Sequence, residues 1–224
     1  MDLVRLRRIE IVTMADADLR ELVLQQVQWR RKRELLMAVG TAVAALAFVS
    51  SYWRGSWPAF YEAIKWAGII LILICIAGRT WCTAYIGGRK KRELVTTGPY
   101  SVVRNPLYVF TLIGAVGVGL QFASLVVGAI VPAATYLVFR PVVMQEEAYL
   151  AASFPNEFRQ YSTRVQRLWP NVSKWRGEVA IVMPVRVMLR TFVEACLFLT
   201  AIPIAEGIEA LQARNVIPAL VMLV

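Results

Sequence analysis

Two polar clusters flank a long apolar stretch, and their side chains are of the kinds that bind anions and move protons. The first reads Gly98-Pro99-Tyr100-Ser101-Val102-Val103-Arg104-Asn105-Pro106-Leu107-Tyr108. The second opens with the adjacent carboxylates Glu146 and Glu147 and continues through Leu150, Phe154, Phe158, Tyr161, Arg164, Arg167 and Pro170. Pro106, with its fixed φ, marks the start of a helix. Arg104 and Asn105 therefore sit where free backbone N–H groups and the positive helix end favour an anion such as a carboxylate. A glutamate turned inward could bind an amine or accept a proton. Neighbours on a helix differ by about 100° in direction, so at most one of Glu146 and Glu147 is expected to point inward. Plainer readings stand beside these. Arg104 reads equally as a juxtamembrane cation on lipid phosphate, and one glutamate as a solvated helix end paired with Arg140.

The elements between the clusters must bring them together. From Asn105 to Phe139 no side chain is charged. As one helix at about 1.5 Å per residue, that stretch would run roughly 52 Å, against a hydrocarbon core of about 30 Å. It must double back, and a hairpin returns both clusters to one face of the membrane. Gln121 to Ser124 is the expected turn, leaving two short helices of about 16 residues each, the second bent at Pro132. Gly114, Gly117, Gly119 and Gly128 are expected to serve close helix packing rather than a nucleotide loop, since no strand precedes them.

Composition agrees with a membrane setting. Of 224 residues 58% are hydrophobic and the mean hydropathy is +0.55, too apolar for an ordinary soluble domain. The net charge of +10 could point to nucleic acid, but the basic residues lie beside apolar segments. That placement fits anionic headgroups and the positive-inside bias, so no nucleic-acid partner is expected. The three cysteines, Cys75, Cys82 and Cys196, form no CxxC and read as buried small hydrophobes. Histidine is absent. That excludes imidazole bases, Ser-His-Asp triads and the usual zinc sites, and no metal site is expected.

The reading along the chain is an all-α polytopic bundle of about five transmembrane helices, including the tight hairpin, with amphipathic helices on the cytosolic side. Residues 1–34 form an amphipathic N-terminal segment expected on the membrane surface. Residues 35–176 form the core, with spans from Leu35 to Trp53 and from about Ala59 to Arg79, where Lys65 and Arg79 snorkel. Residues 177–224 form a C-terminal membrane-associated segment with one further span, roughly Val185 to Ile208. Leu150, Phe154, Phe158, Tyr161, Val165 and Leu168 recur at intervals of three or four. Pro155 interrupts them, giving two short helices under the membrane helices. The loop charges place both clusters in the cytoplasm.

The paired clusters resemble the isoprenylcysteine carboxyl methyltransferase family and its phospholipid-methylating relatives. That family carries Gly-Pro-Tyr, then Arg-His-Pro-x-Tyr opening a membrane helix, then Glu-Glu-x-x-Leu after a hairpin and a Tyr-x-x-Tyr-x-x-x-Val-x-Arg-x-x-Pro-like ending. Gly98, Pro99, Tyr100, Arg104, Pro106 and Tyr108 match the first part, and Glu146, Glu147, Leu150, Phe154, Tyr161, Val165, Arg167 and Pro170 the second. The match runs from about Leu94 to Pro170. Asn105 stands where the family has histidine, and Phe158 replaces the first tyrosine of the ending. An amide carries no proton at neutral pH, so any titrating role at Asn105 is lost. The resemblance implies methyl transfer from S-adenosylmethionine to a lipid or lipid-modified acceptor at the cytosolic surface of the bilayer. It implies Arg104, Glu146 and Glu147 as catalytic groups, and Gly98, Pro99, Tyr100, Asn105, Pro106 and Tyr108 around the cofactor. Tyr161, Arg164 and Arg167 are the implied substrate contacts. A phospholipid amine N-methyltransferase and a catalytically inactive membrane scaffold are the rival readings.

Overall fold

The computed structural model describes residues 48–89, 93–178, 181 and 183–223, and all of these but Phe48 belong to one compact unit, Val49–Val224. The amphipathic segment 1–34 and most of the first expected span lie outside the described residues. Of that span's end, Val49–Ser51 is a strand, β1, followed by a one-turn helix α1, Trp53–Ser56.

Among the described residues the scaffold is four apolar helical stretches. Helix α2, Pro58–Ile86, begins with proline at its first turn, where no N–H is needed. A short helix α3, Pro99–Val102, precedes α4, Pro106–Leu120, and α5, Leu125–Ser153. Then come α6, Pro155–Arg164, and α7, Val185–Cys196. A 3₁₀ turn, Leu197–Thr200, joins α7 to α8, Ala201–Ala213. Among the described residues three stretches are long and apolar enough to cross a membrane: Pro58–Ile86, Leu125–Ser153 and Val185–Ala213. Helix α4 is apolar but shorter. Large apolar side chains such as Ile70, Leu73, Ile130, Leu137 and Val193 stand exposed, as suits helices surrounded by lipid.

The hairpin turns where expected, at Gln121 to Ser124, and Ser124 caps α5 by accepting from the Val127 N–H. Its arms are unequal, however. Instead of two helices of about 16 residues, α4 has 15 and α5 has 29. Helix α5 continues through both Pro132 and Pro141. At about 1.5 Å per residue, roughly 20 residues from Leu125 cover the hydrocarbon thickness, so Glu146 and Glu147 ride on the same helix just past its apolar length.

Small residues let α2 and α4 meet backbone to backbone. A Cβ on Gly117 would lie 2.6 Å from the Gly68 carbonyl oxygen, so the crossing admits no side chain there. Ile72, Ile76 and Ala195 form a core between α2 and α7, and Cys75 and Cys82 are buried free thiols on α2. The two cations placed near the ends of α2 do not snorkel. Lys65 pairs with Glu209 of α8 at 3.3 Å, and Tyr61 donates to the same carboxylate. Arg79 bonds the Thr111 hydroxyl on α4. At the end of the described chain β2, Val221–Leu223, pairs in parallel with β1.

Candidate active site

The first cluster is shaped by Gly98. Its φ is +57°, in the left-handed region, and a Cβ there would sit 2.1 Å from the Tyr85 ring of α2. Only glycine meets both demands. From this turn the chain passes through α3 and reaches Arg104 extended, laced by main-chain bonds to the segment after α6. Gly98 N donates to the Arg176 carbonyl at 2.7 Å, Arg104 N to Gln166 at 2.8 Å, and Asn171 N to the Val102 carbonyl at 3.0 Å. The Tyr161 hydroxyl donates to the Tyr100 carbonyl at 2.7 Å. Phe158, Tyr161 and Val165 pack with Leu94 and Leu150, so the apolar stripe of the second cluster holds the first in place. Trp175 stacks on Trp81 of α2, with ring centroids 5.5 Å apart.

Glu147 is the centre of the site. It is 7% exposed, and its carboxylate accepts from two neighbours and ion-pairs with a third. Asn105 Nδ2 donates to Oε1 at 2.9 Å, Arg167 approaches Oε2 through Nε at 2.9 Å and Nη2 at 2.8 Å, and Arg104 Nη1 lies 3.5 Å from Oε2. Asn105 occupies the N-cap of α4, yet its side chain makes no cap bond. It reaches across to Glu147 instead and also donates to the Arg167 carbonyl at 3.3 Å. Two guanidiniums share one carboxylate, leaving an excess positive charge that favours an anion. The Arg104 Nε is buried and has no acceptor, a second sign that an anionic group belongs there. The bond to Glu147 holds the Arg167 guanidinium charged to still higher pH than usual.

Glu146 faces a different way and accepts from the Tyr108 hydroxyl at 3.1 Å. The two glutamates thus serve separate contacts, as the helical geometry requires. Tyr100 lies in α3 with its hydroxyl buried and without a partner, and burial pushes its phenol well above the ordinary range. Burial likewise raises Tyr161. Pro99 and Pro106 are buried, and Pro106 starts α4. Arg164 is exposed and donates to the Gln160 carbonyl. A cavity of about 520 Å³ opens beside this network, lined by Arg104, Arg164 and Arg167 with Gln166 and Trp169. Arg104, Asn105, Glu147 and Arg167 therefore form one constellation and Tyr108 with Glu146 a second. Gly98, Pro99 and Tyr161 support the backbone. Two contacts of α2 escaped the sequence reading, Arg79 with Thr111 and Lys65 with Glu209. An ionisable residue inside an apolar span was the signal for both.

A hairpin of membrane helices that closes a buried carboxylate between two arginines defines a class of membrane-embedded proteins in which polar chemistry sits at the mouth of a bundle. Residues 63–157 match the phospholipid methyltransferase family, and the chain belongs to that family, which includes the isoprenylcysteine methyltransferases. Among curated proteins the cobalt-zinc-cadmium resistance protein CzcN of Cupriavidus metallidurans is 34% identical over 84% of this chain and 85% of its own length. The nickel-cobalt-cadmium resistance protein NccN of Alcaligenes xylosoxydans xylosoxydans is 33% identical over 84% and 86%. No solved structure matches the chain.

Proposed function

We propose that this protein is a multi-pass membrane methyltransferase that uses S-adenosylmethionine to methylate a carboxylate of a lipid-embedded acceptor, isoprenylcysteine-like or otherwise, at the cytosolic face. The observation that carries the reading is the meeting of Arg104, Asn105 and Arg167 on the buried Glu147, beside a cavity large enough for a nucleoside-sized ligand. The unfilled Arg104 Nε and the partnerless Tyr100 hydroxyl are donors of the kind that a carboxylate and an adenosine would use. When bound, S-adenosylmethionine supplies an electrophilic sulfonium methyl, which an attacking carboxylate oxygen takes as the S–C bond breaks to a neutral thioether.

The residues here then have three tasks. Arg104 holds and orients the acceptor carboxylate, with Glu147 fixing the guanidinium in place. Tyr100, Asn105 and Tyr108 line the cofactor's side, and Arg164 and Arg167 guard the mouth of the cavity. The lipid-facing helices and the segment after α6 exclude water from the line of attack. A carboxylate nucleophile needs no base, which suits a chain without histidine. The test is radiolabelled methyl transfer in membranes expressing the chain, alongside calorimetry with S-adenosylmethionine in nanodiscs. Arg104→Ala and Glu147→Gln should each lose well over tenfold in transfer (about 1.4 kcal/mol or more in barrier) with the fold retained. Normal turnover in both variants would end the proposal.

The phospholipid amine reading is favoured by one contact, the Tyr108–Glu146 pair, since an amine must lose a proton and Glu146 could accept it through the phenol. Transfer that falls as the pH drops, with methylated amine headgroups found by lipid analysis, would select it. Absence of cofactor binding would instead favour the scaffold reading, which Asn105 in the histidine position motivates. The relatives' names, resistance proteins for cobalt, zinc, nickel and cadmium, support a contribution of this methylation to metal tolerance. Loss of metal tolerance on deleting the gene, restored by the wild type and not by Arg104→Ala, would tie the two.

A further inference from the structure

A second basic cavity adjoins the first. It measures about 550 Å³ and is lined by Arg164, Lys174 and Arg176, with hydroxyls of Thr96, Ser101 and Ser173 among its walls and no carboxylate. Arg164 and Lys174 also line the first cavity, whereas Arg176 belongs to this one alone. Neighbouring arginines have carboxylate partners: Arg89 pairs with Glu178 at 2.8 Å, and Arg104 and Arg167 share Glu147. Among the described residues, Arg164, Lys174 and Arg176 form no such pair. Three cations gathered in one concavity repel one another unless an anion joins them. Arginine forks match the oxygens of a phosphate, and lysine adds a point charge.

We propose that this cavity binds a phosphate group, with the headgroup of an anionic membrane phospholipid as its source. The surroundings favour the lipid. Trp169 and Val172 on the same segment are each 79% exposed, and Trp175, itself a wall of the cavity, stacks on Trp81 near the end of the apolar helix α2. Exposed tryptophan beside clustered arginine and lysine at the end of a membrane helix is the chemistry of an interface with anionic lipid. The proposal rests on Arg176, which lines this cavity and not the first, and its test reads lipid binding rather than methyl transfer.

The test uses the full chain in nanodiscs of phosphatidylcholine mixed with phosphatidylglycerol. Lipid retained after extraction into mild detergent is counted by mass spectrometry, and inorganic phosphate binding is measured separately by calorimetry. Phosphatidylglycerol should be enriched over phosphatidylcholine, and the enrichment should fall about fivefold for each charge removed in Arg176→Gln and in Lys174→Gln/Arg176→Gln. Arg176→Lys, which keeps the charge, should retain most of it. Phosphate binding that is lost in Arg176→Gln, without lipid enrichment, would support the same site with a soluble phosphate compound as its ligand. Neither lipid enrichment nor phosphate binding, or equal behaviour of Arg176→Lys and Arg176→Gln, would overturn the proposal.

Discussion

Glu147 owes its burial to the guanidinium groups around it, and the two arginines are not equivalent. Arg104 is 15% exposed and Arg167 49% exposed at the side chain. Removing the carboxylate with Glu147→Ala leaves Arg104 desolvated without a counter-charge, at a cost of about 3–5 kcal/mol. Arg167→Ala removes a partner that water can replace, at a cost of about 1 kcal/mol or less. Thermal unfolding in detergent should separate the two variants in that order. That Arg104 would face one of the two glutamates was legible in the sequence, from the length of the apolar stretch and the angle between neighbours on a helix. The choice of Glu147 was not, because it depends on the rotation of α5 about its axis, and Pro132 and Pro141 lie between that choice and the hairpin turn. Nor was the task of Asn105. An Asn just before a helix proline reads as a cap, and only the fold shows a carboxylate within 2.9 Å of its amide.

At the scale of elements, the site depends on how the Gly98–Asn105 segment is pinned. Gly98→Ala demands both a left-handed alanine and displacement of the Tyr85 ring, so it should lower stability by about 2 kcal/mol or more and abolish methyl transfer with it. Both effects are readable in a single detergent-solubilised preparation. Glu178 ties the same region from outside, accepting from Arg89 at 2.8 Å and from Thr97. The Arg89 bond is the main reason that its carboxyl is held below the ordinary value of 4.5. A depressed folded-state value means stabilisation that is complete above about pH 4.5 and is lost as the pH falls through the lowered value. The unfolding midpoint should therefore drop on acidification in the wild type and drop less in Glu178→Gln. The turn at Gln121 to Ser124 was readable because polar and small residues interrupt an apolar run. The full length of α5 was not readable, since its last two turns combine charged and apolar residues with no helix-stop signal before Phe154-Pro155.

For the whole molecule, methyl transfer at a shared site requires both clusters on one side of the bilayer and the hairpin turn embedded toward the other. Single cysteines at exposed Glu93, ahead of the first cluster, and at exposed Arg164, in the second, should react with a membrane-impermeant maleimide from the same side, and a cysteine at exposed Trp57 from the opposite one. Labelling of the first two from opposite sides would leave no common site. The membrane class and the helical architecture were legible from composition and run lengths alone. The clasp of Lys65 and Glu209 was not, because it joins positions 144 apart whose meeting depends on how the last helical stretch docks.

The parallel strands β1 and β2 pair Val49 with Val221, Ser50 with Met222 and Ser51 with Leu223. During synthesis the upstream strand must wait, its ladder bonds unmade, until the chain has emerged from the ribosome through Leu223. Contacts so distant in sequence form slowly. Closure of this small ribbon is then a late step of assembly, and a chain that stalls short of Val221 would leave a bare strand edge for quality-control proteases to find.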